Sequence, residues 1–204
     1  MTRPPGTIAL VDYGAGNLRS VENALRAVGA AVVVTHDPDE VRKADRVVVP
    51  GQGSMPECAD AMRRSGVAEA LVEVVRRGTP VLGICVGLQI LFEEGEEAGG
   101  ARGLGILPGK IAKLPAGQKL PHIGWAPLRA TASCPPLLRP LDGQYTYFAH
   151  SFAAAADVEG AALLTTHGIP YCAALARENL VAVQFHPEKS QKVGLELLER
   201  FVRV

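Results

Sequence analysis

Pro80-Val81-Leu82-Gly83-Ile84-Cys85-Val86-Gly87-Leu88-Gln89 decides how the chain is read. Residues 80–84 are short and continuously apolar, which fits a strand buried on both faces rather than one with a wet side. A helical pattern follows over 88–93, so the segment passes from strand to helix through a sharp turn at Cys85. Glycines at 83 and 87 leave room for the backbone to double back and expose the side chain between them. The start of a helix beside a thiol favours the reactive thiolate. On these residues two readings of Cys85 stay open: a presented nucleophile, or a small buried hydrophobe, which is how most free cysteines behave.

Working toward the N-terminus, residues 7–12 form another apolar run that stops at Gly14-Ala15-Gly16. Asn17 reads as the N-cap of a helix whose apolar positions Leu18, Val21, Leu25 and Val28 have helical spacing and which ends near Gly29. Residues 31–35 and 46–49 read as strands, and 67–77 as a helix with Leu71, Val74 and Val75 on one side. Strands alternating with helices predict an α/β fold with a central, mostly parallel sheet flanked by helices. After Gly95 the pattern changes to short strands at 103–114, 123–128, 144–152, 161–167, 171–177 and 180–185, implying antiparallel pairing in the C-terminal half. His167-Gly168-Ile169-Pro170 marks a hairpin, and helix returns over 188–202 with Val193, Leu197, Leu198 and Phe201 as its stripe. Internal repeats, charge blocks and long linkers are lacking, so 1–204 is expected to be a single domain.

Composition narrows the function. Lys plus Arg equals Asp plus Glu at 21 each, and a formally neutral chain lacks the positive excess that nucleic acids or anionic membranes require. The four cysteines and five histidines are scattered without metal-ligand spacing, so neither a zinc site nor a disulfide scaffold is expected, and no cofactor. Asp12 breaks the N-terminal apolar stretch, and no run approaches the roughly 18 apolar residues of a membrane helix. The expectation is a cytoplasmic protein. Gly14-Ala15-Gly16 does not extend to a dinucleotide fingerprint, because Arg19 stands where the third glycine belongs.

A nucleophile needs a base and a group that orients the base. Gln184-Phe185-His186-Pro187-Glu188 follows the apolar strand 180–183, and Pro187 biases His186 toward extended backbone. In extended chain, i and i+2 project to one side, so Glu188 can reach the His186 ring and stabilise its charged form. The plainer reading is a strand-ending histidine followed by a helix-starting glutamate. His122 and His150 are rival bases, but neither has an acid within two residues. Pro50-Gly51-Gln52-Gly53 ends another strand and could aim backbone N–H groups, with that of Val86, at a developing oxyanion; it could equally be a simple turn. In a parallel sheet all three segments would reach the same strand-end edge, where active sites gather.

The segment 83–89 together with His186-Pro187-Glu188, about a hundred residues on, resembles the class I, triad-type glutamine amidotransferases. Tyr13-Gly14-Ala15-Gly16-Asn17-Leu18-Arg19-Ser20-Val21, Pro121-His122-Ile123-Gly124-Trp125 and Phe185-His186-Pro187-Glu188-Lys189-Ser190 are similar to blocks in the glutaminase subunits of imidazole glycerol phosphate synthases. The resemblance implies that Cys85 attacks the glutamine amide, with His186 and Glu188 completing a triad, and that Gly51, Gln52, Gly53 and Val86 form the oxyanion hole. It implies that Gln89 holds the α-amino or carboxylate end of glutamine and that His150, Ser151 and Phe152 line the pocket. It further implies a heterodimer with a (β/α)8 cyclase that receives the ammonia, in histidine biosynthesis, with Asn17, Trp125 and Lys189 at the interface. The chain departs from that pattern at Ala126, where asparagine is usual, and at Gln52, where an apolar residue is common. A glutaminase of another synthase, such as the one for pyridoxal phosphate, a different cysteine hydrolase on a related fold, and a regulatory module without turnover are the alternatives. The N-terminal and middle blocks argue against the first, Gln89 and the His-Pro-Glu spacing against the second, and the full set of triad residues against the third.

Overall fold

The computed structural model describes residues 6–14 and 18–204. Strands β1 (Thr7–Val11), β2 (Ala31–Thr35), β3 (Arg46–Val49) and β4 (Val81–Ile84) alternate with helices α1 (Leu18–Ala27), α2 (Pro38–Lys43), α3 (Met55–Ser65) and α4 (Val67–Arg76). After β4 come the one-turn helix α5 (Val86–Gln89), β5 (Phe92–Gly95), β6 (Ala101–Arg102), β7 (Leu107–Lys113), β8 (His122–Pro127) and β9 (Arg129–Ala130). The chain closes with β10 (Tyr145–His150), β11 (Phe152–Ala154), β12 (Ala161–His167), β13 (Ile169–Arg177), β14 (Leu180–Val183) and α6 (Gln191–Val202).

The main sheet runs β2-β1-β3-β4-β14-β13-β12-β9. Its first five strands are mutually parallel, and β13, β12 and β9 extend it in antiparallel fashion. This is the mostly parallel sheet with antiparallel C-terminal strands that the pattern of apolar runs predicts. Every residue of β4 and β14 is buried, as are Val47, Val48 and Val49 of β3, so both faces of the sheet centre are covered. α1 packs with α6, while α4 packs with both α2 and α3. Two smaller sheets, β11-β7-β5-β6 and β10-β8, complete the molecule.

The register brings three strand ends together. Val49 of β3 pairs with Gly83 of β4, and Val183 of β14 pairs with Ile84. The residues that follow, 50–53, 85–89 and 184–188, therefore leave the sheet side by side at one edge.

Several details differ from the sequence reading: the helix expected over 188–202 is a turn of 3-10 helix at Pro187–Lys189 followed by α6, and the strand expected over 103–114 begins at Leu107. The helix expected over 88–93 is α5 at Val86–Gln89, and Phe92 begins a strand instead. The Leu91 carbonyl accepts from Ile106 and Leu107 N–H, so pairing with the β7 segment wins over local helix preference. Helices α2 and α3 were not expected. Both are capped from the preceding residue: Asp37 accepts from Asp39 N–H, and Ser54 from Glu57 N–H. The run 144–152 divides at Ser151 into β10 and β11, which belong to different sheets. Asn17, expected as a helix cap and an interface residue, lies outside the described residues.

Candidate active site

Cys85 sits between β4 and α5 at φ 54°, ψ −110°, a left-handed conformation that a non-glycine residue adopts only where its surroundings enforce it. Close packing is the enforcement. A Cβ on Gly87 would stand 2.1 Å from the Val49 carbonyl oxygen, and one on Gly83 would stand 2.7 Å from the Gly87 oxygen. A Cβ on Gly51 would lie 2.3 Å from Gly87 N and 2.6 Å from Val86 N. The loop expected to form the oxyanion hole is thus laid directly on the first turn of α5. Tyr13 donates its hydroxyl to the Pro50 carbonyl, and Cys58 Sγ donates to the Gln52 carbonyl at 3.5 Å, fixing the loop from its other side.

His186 follows β14 in extended backbone, and its Nδ1 lies 2.8 Å from Glu188 Oε1. The two side chains are 3% and 1% exposed. Burial alone pushes the ring's pKa down, but hydrogen bonds with Cys85 and Glu188, and the charge they carry, outweigh it and raise it to about 9. His186 therefore holds its proton at neutral pH, placed between a carboxylate and a sulfur. With only one turn in α5, little helix dipole acts on the sulfur, so His186 is the charge that matters there. The Ser190 hydroxyl donates to the His186 carbonyl at 2.7 Å and accepts from Tyr147 N–H at 3.0 Å, while His186 N–H donates to the Tyr147 carbonyl at 2.9 Å. These bonds lock the exit of β14 against β10.

Three of the residues expected in the substrate pocket, Gln89, His150 and Phe152, form one network. Gln89 Nε2 donates to the Phe152 carbonyl at 2.8 Å and to Gln184 Oε1 at 3.2 Å. His150 Nδ1 also bonds the Phe152 carbonyl, at 2.9 Å; a carbonyl only accepts, so the proton is on Nδ1. His150 Nε2 then accepts from the Tyr171 hydroxyl at 3.0 Å, which in turn accepts from His122 Nδ1 at 2.9 Å. Burial pushes the pKa of His150 down to about 3 and that of His122 to about 4, so both rings are neutral. His122 is stacked between Phe148 and His167, with ring centroids 5.1 and 4.1 Å away. Both nitrogens of His150 are engaged within the protein, so this ring supports the Phe152 segment and leaves substrate contact to others. The Ser151 carbonyl is held by Leu114 N–H at 2.9 Å.

Trp125 stands elsewhere, on the two-stranded sheet β8-β10. Its cross-strand partner is Tyr147, and the neighbouring pairs are Ile123 with Ala149 and Pro127 with Tyr145. Ile123, Trp125 and Tyr145 are 63%, 44% and 57% exposed, and Lys189 Nζ lies 5.9 Å from the Tyr147 ring centre. Ala126, on the opposite side of β8, is buried.

Gln184 and Tyr171 were missed by the sequence reading. Gln184 lies in the segment 184–188 quoted above, two residues before His186, and that proximity is the signal that could have found it. Tyr171 carried no such signal, because its partners lie 49 and 21 residues away. Among the described residues no cluster of His, Cys, Asp or Glu could hold a metal ion, and no helix is long and apolar enough to cross a membrane.

A thiol in a strained strand-to-helix turn, a charged imidazole against it and a carboxylate behind the imidazole are the parts of a thiol acyl-transfer centre on a parallel α/β sheet. Comparison with known proteins makes this specific. The family model for class-I glutamine amidotransferases matches residues 9–204, and the chain belongs to that family. It is 43% identical to the imidazole glycerol phosphate synthase subunit HisH of Geobacter metallireducens, over 96% of this chain and 97% of that one. It is 48% identical to the HisH subunit of Zymomonas mobilis, over 96% and 95%, and 46% to that of Nitrosomonas europaea, over 97% and 98%. Among solved structures, a glutamine amidotransferase superposes with a TM-score of 0.74 at 19% identity, covering 95% of this chain and 98% of that one. PurLQS from Thermotoga maritima gives 0.73 at 19%, covering 96% and 94%.

Proposed function

We propose that the chain, read as one glutaminase domain over 1–204, is the glutaminase subunit of an imidazole glycerol phosphate synthase of the cytoplasm. The observation that carries the chemistry is His186 held between Glu188 and Cys85. Cys85 Sγ attacks the side-chain carbonyl carbon of glutamine, and the oxyanion is met by backbone N–H groups of Val86 and of the loop Gly51, Gln52 and Gly53. As the C–N bond breaks, His186 gives its proton to the leaving nitrogen and ammonia departs. A water molecule, losing a proton to His186, then attacks the thioester carbon. Glutamate leaves, and the sulfur and imidazolium are restored.

Gln89 fits a binding role. Its two amide protons go to Phe152 and Gln184, leaving Oε1 as the free group. An acceptor suits the α-ammonium of glutamine rather than its carboxylate.

The partner is a (β/α)8 cyclase that takes up the ammonia, and the face carrying Ile123, Trp125 and Tyr145 is its docking surface, with Lys189 at the rim. An exposed aromatic and aliphatic strip of this kind suits a protein interface. The backbone of Tyr147 on β10 is bonded to His186 N–H, so pressure on that face reaches the triad within one residue. Cys85 is only 3% exposed, and glutamine must reach it; movement of the loop 50–53 on partner binding would open the way.

Glutamate release from glutamine tests this reading, measured with the chain alone, with a cyclase subunit and its nucleotide substrate, and with Cys85→Ala as blank. Activity that appears with the partner and vanishes in the variant supports it. Equal activity without the partner removes the gating, and none under any condition removes the enzyme.

A further inference from the structure

We propose that Gln184 is a positioning residue for the nucleophile, donating its side-chain N–H to Cys85 Sγ and coupling the sulfur to the glutamine pocket through Gln89. The inference deepens the glutaminase reading and rests on it.

The geometry is direct. Gln184 is fully buried, and its Nε2 lies 3.7 Å from Cys85 Sγ. It follows β14 and lies two residues before His186, so one short segment leaving that strand, bent at 184–185 and turning at Pro187–Lys189, carries Gln184, His186 and Glu188 to the site. The nucleophile is therefore held by two side chains from one segment: His186 supplies the charge and Gln184 a neutral donor.

The polarity of the amide follows from a backbone group. The Phe152 carbonyl can only accept, so Gln89 must turn its NH2 toward it. The second proton of that NH2 then falls on Gln184 Oε1 at 3.2 Å. With its oxygen used there, Gln184 must present its own NH2 to the sulfur. The relay runs Phe152 carbonyl, Gln89, Gln184, Cys85 Sγ, and each amide polarises the next. An N–H donor strengthens as its acceptor becomes anionic, so this bond favours thiolate over thiol and fixes the direction of the sulfur lone pairs. When Gln89 Oε1 receives an ammonium group from substrate, the polarisation travels along the same line. The pocket thus reports its occupancy to the nucleophile.

The test is the pH dependence of Cys85 alkylation by iodoacetamide in the full chain, with the Cys85 peptide quantified by mass spectrometry. Gln184→Met keeps the volume and loses the donor. The midpoint should rise by about one pH unit, alkylation below it should slow about tenfold, and kcat should fall more than KM rises. Gln184→Glu still accepts from Gln89 but faces the sulfur with an oxygen, and its midpoint should rise further. A midpoint unmoved in both variants overturns the proposal, whatever their stability. Should neither variant fold, the Gln184 side-chain amide protons of the wild-type chain can be followed by NMR across the same pH range. They move with the sulfur if the bond exists, and stay still if it does not. Failure of the glutaminase reading looks different: the wild-type chain, with a cyclase partner present, would not turn glutamine over at all.

Discussion

Glu188 holds the His186 ring through the 2.8 Å bond from its Oε1 to Nδ1, and this makes it the sharpest residue to remove. Glu188→Gln keeps the shape and loses the charge. Without that support the pKa of His186 moves down from about 9, so the imidazolium is less available to protonate the leaving nitrogen. We expect kcat to fall by about a hundredfold or more. The alkaline limb of the pH profile, set by His186, should shift toward lower pH. Steady-state glutamate release from the assembled enzyme over pH 6–10 checks both. At this scale the sequence was readable in part: its motifs single out Cys85, His186 and Glu188, which the structure brings together, but the residues alone leave the role of Cys85 open. Gln184 and Tyr171 were less so, since a glutamine or tyrosine becomes informative only when its distant partner is known.

At the scale of elements, the interlock of β3, the loop after it and α5 sets what the site tolerates. Gly87 is the tightest point, because a methyl there meets the Val49 backbone oxygen, which has no rotamer to change. Gly87→Ala should destabilise the chain by about 3 kcal/mol and reduce activity as well, because relief requires the turn to leave the oxyanion loop. Urea unfolding followed by circular dichroism, with glutamate release alongside, measures both; a change under 1 kcal/mol would show that the turn yields easily. The alternation of apolar runs made the parallel core legible, because buried parallel strands advertise themselves as continuous Val and Ile. Helix α2 was not, since Val41 is its one buried side chain and its evidence is the cap Asp37-Pro38. Helix α3 offered Ser54 and Glu57 at capping-box spacing and Met55, Cys58, Ala59 and Met62 on one face. That pattern was overshadowed by the glycines just before it. The split of 144–152 between two sheets is a tertiary choice with no local signature.

For the molecule as a whole, three histidines give stability opposite pH dependences. His186 has a raised pKa in the folded state, so its contribution is complete below about 6.5 and is lost as pH rises through about 9. His122 and His150 have lowered values, so theirs is complete above about 6.5 and is lost as pH falls toward about 4 and about 3. Thermal unfolding should therefore show a broad optimum near neutrality, with acid loss beginning below pH 6.5. Tyr171→Phe, which breaks the bridge between His122 and His150, should lower the melting temperature at pH 7. A melting temperature that keeps rising from pH 7 to pH 5 would contradict the buried neutral pair.

The chain has a single tryptophan, and Trp125 stands half-exposed with its edge toward the Tyr147 ring, 6.1 Å away. All indole fluorescence of this chain thus arises at the face proposed above for partner docking. Covering that face would shift the emission to shorter wavelength, so a partner without tryptophan could be titrated in unlabelled, and assembly followed in real time while the catalytic residues remain untouched.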